Sequence, residues 1–202
     1  MIKKSINYNL VNLVNDRDEI IGSIDKFKAH EGKAMLHQAI SLFMFRKNSF
    51  GGFDLLVQKR SPQKIVGANQ WANTLCANVM VGENHRQCLQ RRLREELGIT
   101  LTSDVDCQIQ EITVLNYATP CNQQYSEREI DHLFALVLTN QQFAKLVIEP
   151  NPIEVSETRW VDWLELSQEK KISGLKLTPW FNLFLQETQV MQAIKEFLNK
   201  VN

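Results

Sequence analysis

The chain has 202 residues, of which 44% are hydrophobic and 23% charged, a composition typical of a globular protein with room for one good core. Its 23 basic and 23 acidic residues balance, which excludes a global field that would draw it to nucleic acid or a membrane surface. The four cysteines lack CxxC spacing, which argues against a secreted disulfide framework and favours reduced thiols in the cytoplasm.

The chain begins MIKKSINYNLVNLV, which is basic and then apolar. Asparagines interrupt the apolar run and no small-residue cleavage site follows, so we expect a strand over 8–14 rather than a signal peptide. No run of about 18 apolar residues follows anywhere, so we expect no membrane span.

Alternating or aromatic-rich runs bounded by turn residues predict the strands of a sheet. The predicted strands lie at 8–14, 20–24, 36–45, 53–59, 107–116, 130–138 and 158–163, with an extended stretch at 72–80 and a loop at 61–70. The 36–45 and 53–59 runs predict a hairpin at the centre of the sheet.

Helical spacing of Leu89, Leu93 and Leu97 predicts a helix over 83–97, which Gly98 ends. A short helix is expected over 141–147, and Thr178-Pro179 predicts the start of a last helix over about 178–198. Together these elements predict a single α/β (α+β) domain over residues 1–202, with a mixed sheet sandwiched between helices.

Residues 77–99 contain an altered Nudix box, whose standard form is G-x5-E-x7-R-E-U-x-E-E-x-G-U with U aliphatic. Ala77 replaces the first glycine, and Arg92 replaces a glutamate that normally binds metal. The matching polar positions are Glu83, Arg91, Glu95 and Glu96.

An arginine at position 92 cannot bind a cation, but its guanidinium can hold phosphate oxygens. Arg92 and Glu96 share a helix face, so one could hold phosphate while the other holds a bridging metal. The alternative is an ordinary ion pair on the surface of an amphipathic helix.

The sequence RRLREELGI, with Cys76 upstream of it, resembles the type 1 isopentenyl-diphosphate isomerases, a family with a Nudix-like fold and a double arginine at this point. The resemblance covers roughly residues 10–180. It implies an isomerase that interconverts isopentenyl and dimethylallyl diphosphate by a 1,3-allylic shift.

Three segments carry the first half of the resemblance. LVNDRDEIIGSIDKFKAH resembles the opening strand pair of the family, LHQAI its L-H-x-A segment, and QKRSPQKIVGANQWANTLC the run that leads to the catalytic cysteine. They imply that Lys26, Arg60 and Lys64 hold the diphosphate with Arg92. They also imply that His30 and His37 bind metal and that Cys76 is catalytic.

The segment EREID resembles the E-x-E strand of the family, and strand alternation puts Glu127 and Glu129 on one face. Two carboxylates so placed need a shared cation or proton. The resemblance implies that both bind metal and that Glu129 is also a catalytic acid or base beside Tyr117. LTPWF resembles the S-P-W stretch, which implies that Trp180 faces the substrate.

Asn78 departs from the family, whose pattern N-x-x-C-x-H-P has a metal-binding histidine there. Either Asn78 binds metal through its amide oxygen, or water completes the site, or the site is lost. The resemblance implies Mg²⁺ bridging the diphosphate to Glu96 and the Cys76 carbonyl, and a second divalent metal, Mn²⁺, Zn²⁺ or Mg²⁺.

Each of these candidate site residues also has an ordinary structural interpretation. The histidines could be core or surface residues, the basic residues part of a solvated loop, Cys76 a buried thiol and Trp180 a core residue. The competing functions are a Nudix diphosphohydrolase acting on nucleotide or isoprenoid diphosphates, and a weakened homologue that senses the diphosphate. We expect the isomerase, with a small isoprenoid diphosphate as substrate and no nucleic-acid or membrane partner. We expect it to be a cytoplasmic monomer or weak homodimer.

Overall fold

A computed structural model describes residues 7–201 and arranges them around a ten-stranded mixed sheet. The prediction that the opening segment 1–14 is not a signal peptide falls partly on positions 1–6, which lie outside this range. The strands are β1 (Asn7–Val14), β2 (Ile20–Asp25), β3 (His37–Lys47), β4 (Phe53–Arg60), β5 (Trp71–Ala72), β6 (Leu75–Asn78), β7 (Met80–Val81), β8 (Gln110–Pro120), β9 (Ser126–Leu138) and β10 (Val155–Asp162). The helices are α1 (Lys26–His30), α2 (His85–Leu97), α3 (Ser103–Asp106), α4 (Asn140–Phe143), α5 (Trp163–Glu169), α6 (Pro179–Gln186) and α7 (Thr188–Lys200).

Strand β3 is the centre of the sheet. It pairs antiparallel with β1, β4 and β6, and parallel with β9. The parallel register sets His37 beside Glu129, and the antiparallel register sets Ser41 beside Cys76. Residues far apart in the sequence are therefore brought to one region of the sheet.

Alternation along β3 gives the sheet two buried faces. Phe43 and Phe45 belong to the core beneath α6 and α7, whereas Ile40, Leu42 and Met44 belong to the core beneath α2. The predicted mixed sheet between helices is confirmed. Within residues 7–201 no helix is both long and apolar enough to cross a membrane.

Most predicted elements are present with small shifts at their ends. The extended stretch at 72–80 is three short strands, and the strand predicted from residue 107 begins at Gln110 because a helical turn precedes it. The predicted helix over 178–198 is wrong as a single helix, because Glu187 is extended (φ −73°, ψ 116°) and separates α6 from α7. The break lets Phe184 of α6 and Ile194 of α7 both reach the same core.

Helix α2 has capping residues at both ends. Asn84 and Gln87 form a capping box at its start, and Gly98 ends it in the left-handed conformation with φ 66°. A Cβ at Gly98 would stand 2.6 Å from the carbonyl oxygen of Glu149, so the helix end fits against that backbone without room for a methyl group.

We expect Gly98→Ala to reduce the free energy of unfolding by at least about 2 kcal/mol, since it combines a left-handed alanine with a backbone clash. Urea unfolding followed by circular dichroism measures the loss. Gly51→Ala is the matched control, because Gly51 also has positive φ (81°) but nothing lies within 4 Å of its added Cβ. Equal losses in the two variants would contradict the clash.

Candidate active site

A cavity of about 370 Å³ is lined by side chains from five strands, three helices and three loops. Most of the side chains named from the sequence line it: Lys26, His30, Arg60, Lys64, Cys76, Asn78, Arg92, Tyr117, Glu127, Glu129 and Trp180. The other two stand next to lining residues, His37 beside Glu129 and Glu96 beside Arg92. The structure therefore brings the predicted set together in one region.

Two histidines and two glutamates meet at one end of the cavity. His30 Nε2 lies 3.0 Å from Glu127 Oε2, and His37 Nε2 lies 3.4 Å from Glu129 Oε1. Each histidine turns Nδ1 to a backbone carbonyl, that of Lys26 at 2.5 Å and that of Met35 at 2.7 Å. These contacts direct both Nε2 atoms to the carboxylates, as in histidines that bind metal.

The residues present fit a divalent cation. The ligand atoms of His30, His37, Glu127 and Glu129 all lie within 4.8 Å of one another. His37 Nε2 and Glu127 Oε2 are both buried, and their contacts within the cluster, at 3.4 and 3.0 Å, lack the geometry of a hydrogen bond. Buried polar atoms that lack partners cost free energy, which a bound cation would remove.

Asn78 lies at the edge of this cluster, with its side-chain nitrogen 3.4 Å from His30 Nε2. Strand β6 pairs Asn78 with Ala39 and so directs its side chain to the same face of the sheet as Cys76. The amide is close enough to the histidine to reach a shared cation if its oxygen is turned inward.

The pKa values of the two glutamates in the cluster shift in opposite directions, and the pKa of His30 is raised. Burial lowers the pKa of His30, but Glu127 and Glu129 more than offset this and raise it to about 9. Burial and then the charge of Glu129 raise the pKa of Glu127. Burial also acts to raise the pKa of Glu129, but His37 and Tyr117 more than offset it, so the pKa falls and Glu129 stays ionised. Such separated pKa values are common at catalytic sites.

Tyr117 on β8 faces Glu129 across the strand pair, and its hydroxyl donates to Glu129 Oε2 at 2.5 Å. Burial, followed by the charge of Glu129, raises the pKa of Tyr117 well above its usual value. The phenol therefore stays protonated and can keep donating to the carboxylate.

Cys76 approaches the cavity from β6. Its sulfur lies 2.9 Å from Asn73 Oδ1 and 3.0 Å from Ser41 Oγ, and Ser41 donates to Asp131 Oδ2 at 2.7 Å. Burial raises the pKa of the thiol well above its usual value, so the sulfur carries its proton at neutral pH. A protonated thiol and an ionised carboxylate thus line the same cavity.

Basic side chains gather at another part of the cavity. Lys64 donates to Glu154 at 2.6 Å, and Arg92 contacts Glu154 at 3.1 Å and also pairs with Glu96. Burial acts to raise the pKa of Glu154, but Lys64 and Arg92 more than offset it and lower it to about 2. The guanidinium of Arg60 lies 5.0 Å above the ring of Trp180. The cluster suits an anion with several oxygens.

The glutamates of the Nudix box are engaged by protein donors. Glu83 accepts the Met80 amide and pairs with Arg91, while Glu96 accepts Gln58 Nε2 at 2.8 Å and pairs with Arg92. The ion-pair interpretation of Arg92 and the phosphate interpretation both match its position, because the paired guanidinium also lines the cavity.

Sequence reasoning missed three polar residues of this region. Asp131 continues the alternation of Glu127 and Glu129, so extending that pattern by two residues could have found it. Ser41 needed the β3–β6 register, and Glu154 is separated from Lys64 by 90 positions. No local signal marks the last two.

Comparison with protein families matches residues 35–181 to the NUDIX domain. The chain is 34% identical to an isopentenyl-diphosphate Delta-isomerase of Cereibacter sphaeroides, over 81% of this chain and 84% of the relative. It is 32% identical to the chloroplastic isopentenyl-diphosphate Delta-isomerase II of Arabidopsis thaliana, over 85% of this chain. It spans 63% of the length of that plant relative.

Among solved structures, a crystal structure of a protein from Deinococcus radiodurans superposes with a TM-score of 0.64 at 19% identity. The match covers 88% of this chain and 97% of that one. At this identity the likeness bears on the fold alone, and it agrees with the sheet described above.

Proposed function

The chain belongs to the type 1 isopentenyl-diphosphate isomerases of the Nudix superfamily, and we propose that it interconverts isopentenyl diphosphate and dimethylallyl diphosphate. The observation that carries the proposal is that Cys76 and the Glu129–Tyr117 pair line one cavity, next to a basic cluster. We propose further that the whole chain acts as one domain on this substrate.

The reaction needs an acid and a base on a bound alkene. One group adds a proton to the terminal methylene carbon C4, and another removes a proton from C2, the carbon between the cationic centre and the carbon that carries the diphosphate, so that the double bond moves by one position. Cys76 and the Glu129–Tyr117 pair are the proposed groups, and they exchange roles when the reaction runs in reverse. Their protonation states support this assignment.

The intermediate is a tertiary carbocation that water would capture. The indole of Trp180, which is 3% exposed, offers a π face to a cation at the inner wall of the cavity. Apolar side chains including Ile65, Val66 and Ile153 also line the cavity.

The diphosphate is proposed to bind Lys26, Arg60, Lys64 and Arg92, which anchors the small apolar tail near the acid and base. His30, His37, Glu127 and Glu129, with Asn78 at the edge, would hold a divalent metal. When bound, that metal supplies positive charge that orients Glu129 and tunes its basicity. The resemblance assigns Mg²⁺ at the diphosphate to Glu96, whose carboxylate is held by Gln58 and Arg92 in this structure, so the ion would have to displace one of these contacts.

The competing Nudix hydrolase is less well supported. Hydrolysis uses the helix glutamates as metal ligands, but here Arg92 replaces one of them. Glu83 and Glu96 are buried in contacts with arginines, so Glu95 is the only well-exposed acid among the matched box positions. A weakened homologue that only senses the diphosphate would bind without turnover.

Incubation of the protein with isopentenyl diphosphate and Mg²⁺ distinguishes the functions. Proton NMR separates the terminal methylene of the substrate from the two methyl groups on the double bond of the product, and phosphorus NMR detects released phosphate. We expect the isomer without phosphate. Release of monophosphate or phosphate would favour the hydrolase, and binding without turnover by the metal-loaded protein would favour the sensor.

Arg92→Met should raise KM for isopentenyl diphosphate roughly tenfold to a hundredfold, because a charge-assisted hydrogen bond contributes about 1.5–3 kcal/mol. The value of kcat should change less, since Arg92 contacts neither Cys76 nor Glu129. Steady-state kinetics gives both constants. Arg94→Met, at an exposed position on the same helix, is the control and should leave KM unchanged. An unchanged KM in Arg92→Met would remove this arginine from the proposed clamp.

A further inference from the structure

A second group of metal-binding side chains lies on the other face of the sheet. His132 alternates with Glu129 along β9, so it points toward the side covered by α2 rather than toward the cavity. There it meets His85, the first residue of α2, and Glu111 on β8. The ligand atoms of His85, Glu111 and His132 all lie within 4.8 Å of one another.

His132 stands between two carboxylates. Its Nε2 lies 2.9 Å from Asp18 Oδ2, and its Nδ1 lies 3.2 Å from Glu111 Oε1. A neutral imidazole has only one N–H, so its other nitrogen would present a lone pair to a carboxylate. The arrangement therefore requires one more positive charge, supplied either by a second proton on the ring or by a metal ion.

A second imidazole lies against the first. The rings of His85 and His132 lie 3.9 Å apart between centroids, so two imidazolium ions would repel each other at contact distance. A shared cation uses the lone pairs of both rings.

Asp18 completes the pattern expected around a metal-bound histidine. It accepts from His132 Nε2 on one oxygen, and its other oxygen accepts from Gln38 Nε2 at 2.9 Å. A carboxylate behind a histidine fixes the ring and directs the opposite nitrogen to the metal. The Glu111 side chain is 44% exposed, which leaves a path for an ion to enter.

We propose that His85, Glu111 and His132 bind a divalent transition-metal ion, best fitted by Zn²⁺, with Asp18 orienting His132. Two imidazoles and one carboxylate are a preferred zinc set and leave a fourth position for water. The site would tie the β1–β2 turn, β8, β9 and the start of α2 together. It lies on the opposite face of the sheet from the cavity and does not depend on the proposed function.

The test is Zn²⁺ stoichiometry after chelator treatment, reloading and dialysis, measured by elemental analysis. We expect His85→Ala and Glu111→Gln each to bind one Zn²⁺ per chain fewer than the wild type, and to lose the rise in Tm that this ion gives. Glu111 is exposed, so its variant tests the site even if His85→Ala folds poorly.

Two controls separate this site from the cavity. Glu165→Gln changes an exposed glutamate elsewhere and should keep the full Zn²⁺ content. His37→Ala alters the cavity cluster and should keep the ion bound by His85 and His132. Equal Zn²⁺ content in the wild type, His85→Ala and Glu111→Gln would overturn the proposal.

Discussion

Replacing Cys76 by alanine should reduce kcat for the isomerisation by roughly a thousandfold or more. General acid–base groups typically contribute about 10²–10⁴ in rate, and Cys76 is one of the two proposed proton-transfer groups. Burial keeps the thiol protonated, so its removal takes away a proton and leaves a small apolar gap. Proton NMR of the product at saturating substrate measures the loss.

The control for this variant is Cys107→Ala, which removes an exposed thiol near α3 and should retain full activity. Binding offers a second control. Cys76 makes no contact with the basic cluster, so the affinity for isopentenyl diphosphate should stay within about threefold of the wild type, less than about 0.7 kcal/mol. If Cys76→Ala keeps a tenth of the wild-type kcat, this cysteine is not one of the two proton-transfer groups.

Periodicity predicted the parts of the fold in which one face of an element is buried. The leucines of α2 and the apolar run of β3 repeat at the periods of a helix and a strand, and both elements are found where they were expected. The break between α6 and α7 at Glu187 is not marked in the sequence by a glycine or a proline. It arises because α6 and α7 both pack on one core, and the sequence alone does not express that constraint.

The candidate site was predictable to the extent that its residues occur in motifs. Strand alternation placed Glu127 and Glu129 on one face, and Tyr117 is paired with Glu129 across β8 and β9. Contacts made through tertiary packing were not predictable, such as Glu154 between Lys64 and Arg92. The two interpretations of Arg92 in the altered box are therefore compatible, because its side chain both pairs with Glu96 on the same helix and lines the cavity.

The second histidine cluster illustrates the same limit. His85 and His132 belong to no motif of the resemblance, since one lies on α2 and the other alternates to the opposite face of β9 from Glu129. Both observations are correct, and they exclude these residues from the first cluster. They did not reveal that a helix start and a strand would meet on the opposite face, which requires knowing that α2 covers β9.

Glu129→Gln should be at least as damaging as the cysteine variant, with kcat reduced roughly a thousandfold or more. The amide has nearly the shape of the carboxylate but cannot accept a proton at neutral pH, whereas Glu129 is held ionised by His37 and Tyr117. The substitution also removes a charge from the proposed metal ligands. Measurement of kcat together with metal content separates the two effects, because a variant that stays metal-loaded and inactive has lost the base itself.

Two further variants make this result specific. Tyr117→Phe keeps the carboxylate and removes only the 2.5 Å hydrogen bond, so its loss should be smaller than that of Glu129→Gln. Arg128→Gln changes the adjacent, exposed residue of β9 and should leave kcat unchanged. A folded, metal-loaded Glu129→Gln protein with near wild-type kcat would show that proton transfer opposite Cys76 belongs to another group. Because Tyr117 is the other acid in contact with Glu129, the Tyr117→Phe variant would then carry the larger loss.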